Sequence, residues 1–392
     1  LYTDDGKPNE TMIAAFVALT GQTVNIKDAY EAKGFDFTGT KMFDEKTGYR
    51  SKSFLTVPLK NHEDEIIGVL QLLNAQSSEK EKIISFSKKV QEMVEALASQ
   101  AAVAITNKNL IKDLEALFES FIKLIASAID EKSPYTGGHC ARVPEITMML
   151  ADAVHNTDYG PFAKTKFSEK ELYELKIAAW LHDCGKVATP EFVVDKSTKL
   201  ETIYDRINEV GTRFVVLQRD AEIEKLNKEL KIERNESLSL DQKQKEIKKL
   251  NNEFKKTIEQ LKVDESFVKE SNIGGEFMSS DKKDRINEIS RYQWQPNGEM
   301  KNFLSEDEVY NLSIARGTLT AEERKVINDH IVVTIKMLEE LPYPKHLKNV
   351  PEFAGGHHEK LDGTGYPKGL TKDEMSVQAR IMAIADIFEA LT

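Results

Sequence analysis

An apolar heptad pattern runs from Phe86 to Ile125 without a proline or glycine, and it predicts one continuous helix through the middle of the chain. Residues alternate steps of four and three through nearly six heptads, at Phe86, Val90, Met93, Leu97, Gln100, Ala104, Asn107, Ile111, Leu114, Phe118, Phe121 and Ile125. The pattern is typical of a parallel coiled coil, with Gln100 and Asn107 fixing the register. The alternative is a single long helix that packs along its own domains.

A helix of this length divides the chain into two parts. The 392 residues exceed the roughly 100 to 200 residues of one domain, so we expect two domains joined by the helix. The predicted boundaries are 1–80 for the first domain, 86–126 for the linker helix and 127–392 for the second. Since the chain opens at Leu1 in a strand-like stretch and closes at Thr392 inside an uncapped helical pattern, we expect the first domain to be incomplete at its N-terminus and the second to be truncated.

Charge and composition exclude several classes of protein. The net charge of −11 argues against a sequence-independent nucleic-acid binder, which needs a basic face to neutralise phosphates. The chain has no signal peptide and no run of about 18 apolar residues, so no membrane partner is expected. The two cysteines, Cys140 and Cys184, are too few for a disulfide framework, which predicts a reducing, cytoplasmic setting.

Residues 12–75 alternate strand-like runs with turn signals, which predicts an α+β domain. The runs are Met12–Val17, Ser53–Leu59 and Glu65–Asn74, with a turn at 20–22. The segments AFVALTGQTVNIKDAY, KMFDEKTGYRSKSFLTVPL and EIIGVLQLLNA closely resemble a GAF domain, and the stretch 43–50 resembles a motif of its cyclic-nucleotide-responsive subgroup. The resemblance implies a sensory pocket for a small-molecule ligand. A GAF domain that serves only as a dimerising scaffold remains the alternative.

The part of the chain after the linker is predicted to be all-α. Residues 131–209 have helical patterns that are broken at Ser133-Pro134 and at Gly160-Pro161. Between about 211 and 300 the chain is rich in charge and carries apolar residues three and four apart, which predicts two amphipathic helices in an antiparallel hairpin with its turn at Ser237–Asp241. The basic run 243–256 is interleaved with glutamates, which indicates a solvated face rather than a nucleic-acid site.

Five of the eight histidines fall in compact motifs of the second domain. They are His139 in TGGHCARV, His182 in WLHDCGK, His330 in VINDHI, and His357 and His358 in AGGHHEKLDGTGYP. His182 and Asp183 follow the apolar run IAAWL, where an isolated buried histidine or aspartate costs several kcal/mol unless it is paired or bound to a metal. The pair therefore favours a metal site over a structural histidine, with Asp183 as a bridging ligand.

The remaining motifs extend the same hypothesis. Gly355-Gly356 gives the backbone the freedom to direct the imidazoles of His357 and His358 at separate metals, and Glu359 is a candidate to orient one ring. His330, taken alone, is more typical of a core histidine whose ring nitrogens are hydrogen-bonded within the protein. Asp386 is a lone carboxylate in the apolar helix RIMAIADIFEAL, where a nearby cation would offset its burial.

Five imidazoles and two carboxylates form a nitrogen and oxygen ligand set, which suits iron, manganese or another first-row divalent ion. A thiolate zinc site is disfavoured, because Cys140 and Cys184 are expected to point away from the neighbouring ligands. Two cations about 3.5–4 Å apart clamp the attacking and leaving oxygens of an in-line phosphoryl displacement. The set therefore predicts phosphoester hydrolysis.

HDCGK at 182–186 and HHEKLDGTGYP at 357–367 match the paired signatures of the HD-GYP family, a branch of the HD-domain metal phosphohydrolases. The resemblance covers 120–205 and 315–392, with the charged hairpin as an insertion. It implies two divalent metal ions, iron or manganese, held by His139, His182, Asp183, His330, His357, His358 and Asp386. It also implies that Lys186, a catalytic residue with Asp183, contacts the scissile phosphate or the water held by the metals.

The family's namesake loop corresponds here to Asp362, Gly365, Tyr366 and Pro367, and the resemblance implies that it shapes the mouth of the site and contacts a partner. Some members carry a glutamate ligand for a third metal four residues before the first histidine; Tyr135 stands there in this chain, which favours two metals. Members also continue into a basic segment that holds substrate phosphates. In this chain Arg380 is the remaining candidate to bind substrate phosphates. The alternative is that Arg380 is an ordinary arginine on the surface of a helix.

The resemblance as a whole implies a bacterial signal-transduction hydrolase. It is expected to hydrolyse cyclic di-GMP to pGpG, to GMP or to both, as a homodimer in which a GAF sensor acts through the linker helix. One alternative is a 3′,3′-cyclic GMP-AMP phosphodiesterase. Another is a non-catalytic cyclic-dinucleotide receptor or scaffold that binds a cyclase through the GYP loop, against which the intact ligand set argues.

Overall fold

The computed structural model describes residues 1–3, 5–77, 82–132 and 137–392. These residues form two compact units, Leu1–Ser120 and Phe121–Thr392. Two predictions concern residues outside the described ranges. They are the helix break at Ser133-Pro134 and the preference for two metals over three, which depends on Tyr135.

The first unit is built on a three-stranded antiparallel sheet whose strands lie side by side in the order of the sequence. Its elements are α1 Ile13–Thr20, β1 Val24–Ile26, α2 Thr38–Thr47, β2 Phe54–Lys60, β3 Ile66–Leu73, and the short pair β4 Ala75–Gln76 and β5 Ile83–Ile84. Side chains alternate across β2: Phe54 packs with α1 residues such as Val17, whereas Leu55 and Val57 pack with Val94 from the linker helix. The α+β fold predicted from the sequence is confirmed.

The prediction of a strand at Met12–Val17 is wrong, because this segment belongs to helix α1. Ile13 and Val17 are one helical turn apart and both are buried, so the apolar run serves a helical face rather than a strand. The helix ends where Gly21 adopts a left-handed conformation with φ 67°. The opening residues do not form a strand either; Tyr2 makes a single isolated bridge to Pro8.

The predicted linker is one continuous helix, α3 Lys88–Asp130. Val94, Ala98 and Ala102 are buried near its start, and Ile122, Ala126 and Ile129 are buried near its end. Six of the predicted heptad positions are exposed by 46 to 66%, at Met93, Leu97, Ile111, Leu114, Phe121 and Ile125. The first two positions, Phe86 and Val90, instead pack against the cluster of Leu55, Val57 and Val94, so the exposed part of the apolar stripe begins at Met93.

The second unit is predominantly helical, as predicted. Its helices are α4 His139–Asn156, α5 Glu169–Leu181, α6 Glu191–Val194, α7 Ile207–Glu233, α8 Leu240–Ile273, α9 Ser280–Ser290, α10 Glu306–Leu312, α11 Ala321–Asn328, α12 His330–Glu339, α13 Val350–Gly355 and α14 Val377–Leu391. Short 3₁₀ turns lie at Gly160–Phe162, Cys184–Ala188, Pro296–Gly298 and Lys345–Leu347, and β6 Gln293–Trp294 pairs with β7 Lys301–Asn302. Among the described residues, none of these helices combines the length and apolar character needed to span a bilayer.

Helices α7 and α8 pack against each other as the predicted antiparallel hairpin. Ser239 caps α8 through a capping box with Gln242. The turn therefore lies between Glu233 and Leu240 and overlaps the first part of the predicted Ser237–Asp241 segment. The two helices begin earlier and end earlier than the predicted 211–300, and the rest of that range forms α9 and the β6-β7 pair. At the base of the hairpin, Phe214 and Phe303 are fully buried with ring centroids 4.5 Å apart.

The chain on either side of the hairpin is joined by buried lysines. Lys196 Nζ lies 2.8 Å from both carboxylate oxygens of Glu323. Lys199 Nζ donates to the carbonyls of Leu312 and Ile314, each at 3.0 Å, at the end of α10. The segment that precedes the hairpin is thereby fixed to the segment that follows it.

Candidate metal centre and active site

The structure brings together all seven side chains predicted from the sequence as metal ligands, although they come from separate segments. His139 begins α4, His182 and Asp183 follow α5, His330 begins α12, His357 and His358 follow α13, and Asp386 lies on α14. Five of the seven, His139, His182, Asp183, His330 and His357, are less than 9% exposed. So many buried ionisable groups are costly unless they are paired or bind a cation.

One half of the cluster consists of His139, His182, Asp183 and Asp386. The Nε2 atoms of His139 and His182 are 3.3 Å apart. Asp183 Oδ2 lies 3.3 Å from the first of these atoms and 3.2 Å from the second. Asp386 Oδ1 lies 3.2 Å from His139 Nε2 and 3.8 Å from His182 Nε2. This half therefore presents two imidazole nitrogens and two carboxylate oxygens to one point.

The other half consists of His330, His357 and His358. Their ligand atoms lie within 4.8 Å of one another, and the Nε2 atoms of His330 and His358 are 3.2 Å apart. His357 Nε2 is buried and has no hydrogen-bond partner among the described residues. A buried lone pair without a partner is rare in folded proteins, and here it points toward other imidazoles, as expected for a metal ligand.

Asp183 lies between the two halves. Its Oδ2 contacts His139 and His182, whereas its Oδ1 lies 3.2 Å from His330 Nε2. Gly185 makes this approach feasible, because a Cβ at that position would lie 2.0 Å from the carbonyl oxygen of His330. The Gly185 N–H also donates to Thr334 Oγ1 of α12 at 2.9 Å. The two oxygens of one carboxylate thus face both groups of imidazoles.

Backbone carbonyls fix the orientation of three of the imidazoles. The Nδ1–H of His182 donates to the Ala179 carbonyl at 2.8 Å. In the same way His330 donates to Ile327 at 2.5 Å, and His357 to Ala354 at 2.6 Å. A carbonyl only accepts hydrogen bonds, so the proton is on Nδ1 and the Nε2 lone pair is directed into the cluster.

These donor atoms fit divalent cations. Ligand atoms held about 2.1 Å from one metal are separated by roughly 3.0 to 3.4 Å, and the Nε2–Nε2 distances of 3.2 and 3.3 Å fall in that range. Neither cysteine belongs to the two ligand groups found among the described residues. Burial raises the pKa of the Cys184 thiol to about 11 and also raises the pKa of Cys140, so both thiols stay protonated at neutral pH.

The two halves differ in electrostatics. Burial opposes a charge on His139, but hydrogen bonds to Asp183, Asp386 and Glu389 outweigh it and raise the histidine's pKa to about 10. In the other half, burial and the neighbouring His330 lower the pKa of His358 to about 4. The carboxylate-rich half therefore binds protons when no other cation is present, whereas the imidazole-rich half offers neutral lone pairs.

Sequence reasoning missed Glu389, which orients His139. One carboxylate oxygen of Glu389 contacts His139 Nδ1, and the other accepts from Arg142 Nε at 2.6 Å. A carboxylate hydrogen-bonded to the far nitrogen of a ligating histidine fixes the ring and raises its basicity. The signal was present, because Glu389 lies three residues after Asp386 and so projects from the same face of α14.

Replacing Glu389 with alanine is expected to weaken metal binding about 10- to 100-fold, because His139 loses the group that holds its ring. Titration of the metal-free protein with Mn²⁺, followed by isothermal calorimetry, measures the change. Glu145→Ala, at an exposed glutamate of the same helix as His139, is the matched control. Unchanged Mn²⁺ affinity in the Glu389 variant would rule out this role.

Glu359 does not orient a ligand ring, contrary to the prediction. Its two carboxylate oxygens accept hydrogen bonds from the backbone N–H groups of Lys368, at 2.7 Å, and Leu370, at 2.8 Å. A backbone carbonyl already holds the ring of His357, and Glu359 holds the loop instead. Tyr366 in that loop stacks on His358 with ring centroids 4.8 Å apart.

The other nominated loop residues shape the backbone around Tyr366. A Cβ on Gly365 would lie 2.3 Å from the backbone nitrogen of Lys360, so only glycine fits there. Asp362 accepts from the backbone and hydroxyl of Thr364 at 3.0 and 2.7 Å, which closes a local turn. Pro367 follows Tyr366 through a cis peptide bond. Only Tyr366 of these four lines the cavity described next.

An open cavity of about 510 Å³ lies over the cluster. It is lined by His139, Arg142, Asp183, Lys186, Thr189, Val194, Ile327, His330, His358, Tyr366, Asp386, Glu389 and Ala390. Lys186 Nζ is 2.6 Å from Asp183 Oδ2. Arg380 is not in this lining; its guanidinium donates to the carbonyls of Lys372 and Met375, so it braces the loop before α14 rather than the substrate side. The basic groups at the cavity are instead Lys186 and Arg142, of which the sequence nominated only the first.

Comparison with known families agrees with this architecture. Residues 3–105 match the GAF domain model, and residues 306–392 match the HD domain model. The chain therefore combines a GAF domain with an HD domain, in agreement with the resemblances inferred from the sequence.

Several curated relatives carry names of cyclic-dinucleotide phosphodiesterases. The chain is 43% identical over 76 residues to 3′3′-cGAMP-specific phosphodiesterase 3 of Vibrio cholerae, which is 19% of this chain and 16% of that protein. It is 40% identical over 86 residues to a probable cyclic di-GMP phosphodiesterase of Vibrio cholerae, covering 21% and 20%. It is 37% identical over 75 residues to the cyclic di-GMP phosphodiesterase of Thermotoga maritima, covering 19% and 20%. In each case the match spans a fifth or less of the relative's length.

Proposed function

We propose that this protein is a metal-dependent phosphodiesterase that hydrolyses cyclic di-GMP to pGpG, to GMP or to both. The observation that carries the proposal is Asp183, whose two carboxylate oxygens contact separate groups of buried imidazoles beneath an open cavity. Two divalent cations bound there would supply Lewis acidity and activate water for attack on phosphorus. The nitrogen and oxygen donors favour iron or manganese.

The protein's own residues have separable tasks in this reaction. His139, His182 and Asp386 would hold one cation, His330, His357 and His358 would hold the other, and Asp183 would contribute to both. Lys186 lines the cavity with its Nζ 2.6 Å from Asp183 Oδ2. From there it would donate to an oxygen of the scissile phosphate. Arg142 presents a half-exposed guanidinium on the cavity wall, where it attracts a second phosphate. With two divalent cations bound, Lys186 and Arg142 would leave the site positively charged despite the nearby carboxylates, which suits an anionic substrate.

The substrate assignment rests on chemistry and on the names of the relatives. A cyclic dinucleotide carries two phosphodiesters, which matches one metal-bound phosphate and one phosphate near Arg142. Some relatives are named for cyclic di-GMP and others for 3′3′-cGAMP. The cyclic GMP-AMP reaction is therefore the second candidate for the same site, since it needs the same bond cleavage.

The regulatory part of the proposal concerns the GAF domain and the linker. The GAF domain would bind a small molecule and act on the HD domain of a homodimer joined along α3. The loop around Tyr366 is available to contact a cyclase partner. A cytoplasmic location fits this signalling role and two protonated cysteines.

Metal analysis combined with turnover measurements tests the proposed function. Protein purified without oxygen should contain about two equivalents of iron or manganese, and it should hydrolyse at least one of cyclic di-GMP and 3′,3′-cyclic GMP-AMP. A chelator should abolish this turnover and added Mn²⁺ should restore it. Metal-replete protein that cleaves neither dinucleotide would contradict the proposal.

A further inference from the structure

Asp130, the last residue of α3, contacts the start of the helix that carries the first candidate ligand. Its side chain is 9% exposed, and both carboxylate oxygens lie 3.2 Å from the backbone N–H of Cys140. Helix α4 receives no side-chain cap from its own N-cap residue, Gly138. Asp130 therefore satisfies a free N–H at the positive end of the α4 dipole and fixes the backbone next to His139.

Lys132, two residues later, contacts a second part of the site. Its ammonium group donates to the carbonyls of Lys186 at 3.0 Å, Val187 at 2.7 Å and Thr189. An ammonium group has three N–H donors, so these carbonyls use all of them. They lie at the end of the 3₁₀ turn Cys184–Ala188, which begins directly after Asp183 and contains Lys186. Lys132 therefore holds the turn that carries the catalytic lysine.

The two contacts act on the two backbone segments that carry His139 and Asp183, which belong to the same half of the cluster. Asp130 holds the backbone of His139, and Lys132 holds the backbone that follows Asp183. These two ligands are separated by only 3.3 Å between Nε2 and Oδ2. The turn held by Lys132 also binds α12 through Gly185 and Thr334, so its position affects His330 as well. Neither Asp130 nor Lys132 belongs to the ligand groups or the cavity lining found among the described residues.

We propose that Asp130 and Lys132 are positioning residues through which the end of α3 sets the spacing of the metal ligands. Displacement of α3 would change the distance between His139 and Asp183, and with it metal affinity and turnover. This inference rests on the proposed function, because it names the regulation of that same site. Helix α3 is continuous from Lys88 to Asp130, and the match to the GAF domain extends along it to residue 105. The same helix that belongs in part to the GAF domain therefore ends at Asp130, two residues before Lys132.

The test uses charge-removing variants of the full chain with matched controls. Lys132→Met and Asp130→Ala should each weaken Mn²⁺ binding about tenfold, as loss of a supporting contact does at metal sites. They should lower kcat on the hydrolysed dinucleotide while KM changes less than about twofold, since neither residue touches substrate. Lys132→Arg, which keeps a cationic donor, should restore most of the affinity. Lys112→Met, at an exposed lysine of the same helix, should have no effect.

Wild-type Mn²⁺ affinity and kcat in both Lys132→Met and Asp130→Ala would overturn the inference. A uniform loss of affinity in Lys132→Met, Lys132→Arg and Lys112→Met alike would also overturn it, since the effect would not depend on the three carbonyl contacts. If Lys132→Met does not fold, Asp130→Leu decides, because it removes both acceptor oxygens while keeping a branched side chain of similar shape. If the wild-type protein binds Mn²⁺ but cleaves no dinucleotide, the proposed function fails, and the affinity measurements still decide the positioning role.

Discussion

Replacement of Asp183 with asparagine should lower dinucleotide turnover by about 10³-fold or more and reduce the bound metal from two equivalents to one or fewer. The carboxylate faces His139 and His182 with one oxygen and His330 with the other. An asparagine keeps one oxygen but turns an N–H₂ group toward one of the two cation positions. Loss of one partner in a buried charge cluster costs several kcal/mol, and each 1.4 kcal/mol or so is a factor of ten.

Metal content by plasma mass spectrometry and single-turnover hydrolysis measure the two effects. Asp158→Asn makes the same chemical change at an exposed site and should leave both at wild-type values. Full turnover in the Asp183 variant would exclude a bridging role. A cellular phenotype that survives Asp183→Asn but is lost in Tyr366→Ala would instead favour the scaffold, with the loop as its contact.

Charge placed on the exposed heptad stripe should convert a dimer into monomers. Ile111 is 60% exposed and Leu114 is 66% exposed, and both belong to the predicted seam. In a parallel coiled coil each meets its own copy, so aspartate at both positions exchanges apolar burial for four facing carboxylates. Burial of one such side chain is worth about 1.5 to 3 kcal/mol, so the dissociation constant should rise at least about 10³-fold.

Sedimentation equilibrium of the full chain measures this change. Lys112→Asp introduces the same charge on the outward face of α3, next to the stripe in sequence, and should leave the association state unchanged. A wild-type protein that is monomeric at all accessible concentrations would exclude the coiled coil and favour the single long helix. Equal dissociation in the Lys112 control would show that charge on the helix, rather than the stripe, was responsible.

The sequence predicted that these seven side chains lie together because most of them stand out against their surroundings. Histidine and aspartate are unusual on apolar helices, so His182, Asp183 and Asp386 could be nominated without a structure. The residues that support them do not stand out. Glu389 and Arg142 have the composition of ordinary surface positions, and their pairing across 247 residues depends on how α4 packs against α14.

The two wrong predictions, the strand at Met12–Val17 and the role of Glu359, also have physical causes. Met12–Val17 is a short apolar run, and periodicity over so few residues does not distinguish a buried strand from a buried helix. Glu359 was placed near a ligand by its position in the chain, but its side chain points toward the backbone of the following loop. The long helix and the hairpin were predicted correctly because their apolar periods persist over many turns.

The hairpin inserted between the two halves of the cluster has a consequence for how this protein can change over evolution. His330 follows Asp183 by 147 positions, yet Nε2 and Oδ1 of the two residues are 3.2 Å apart. The entropy of closing a chain segment rises only with the logarithm of its length, by about 0.6 kcal/mol for each doubling. Lys196 and Lys199 join the segment before the hairpin to the segment after it. A change in the length or sequence of the hairpin between these contacts therefore costs little free energy of folding. The insertion point is thus a place where new modules can be added while the spacing of the ligands is preserved.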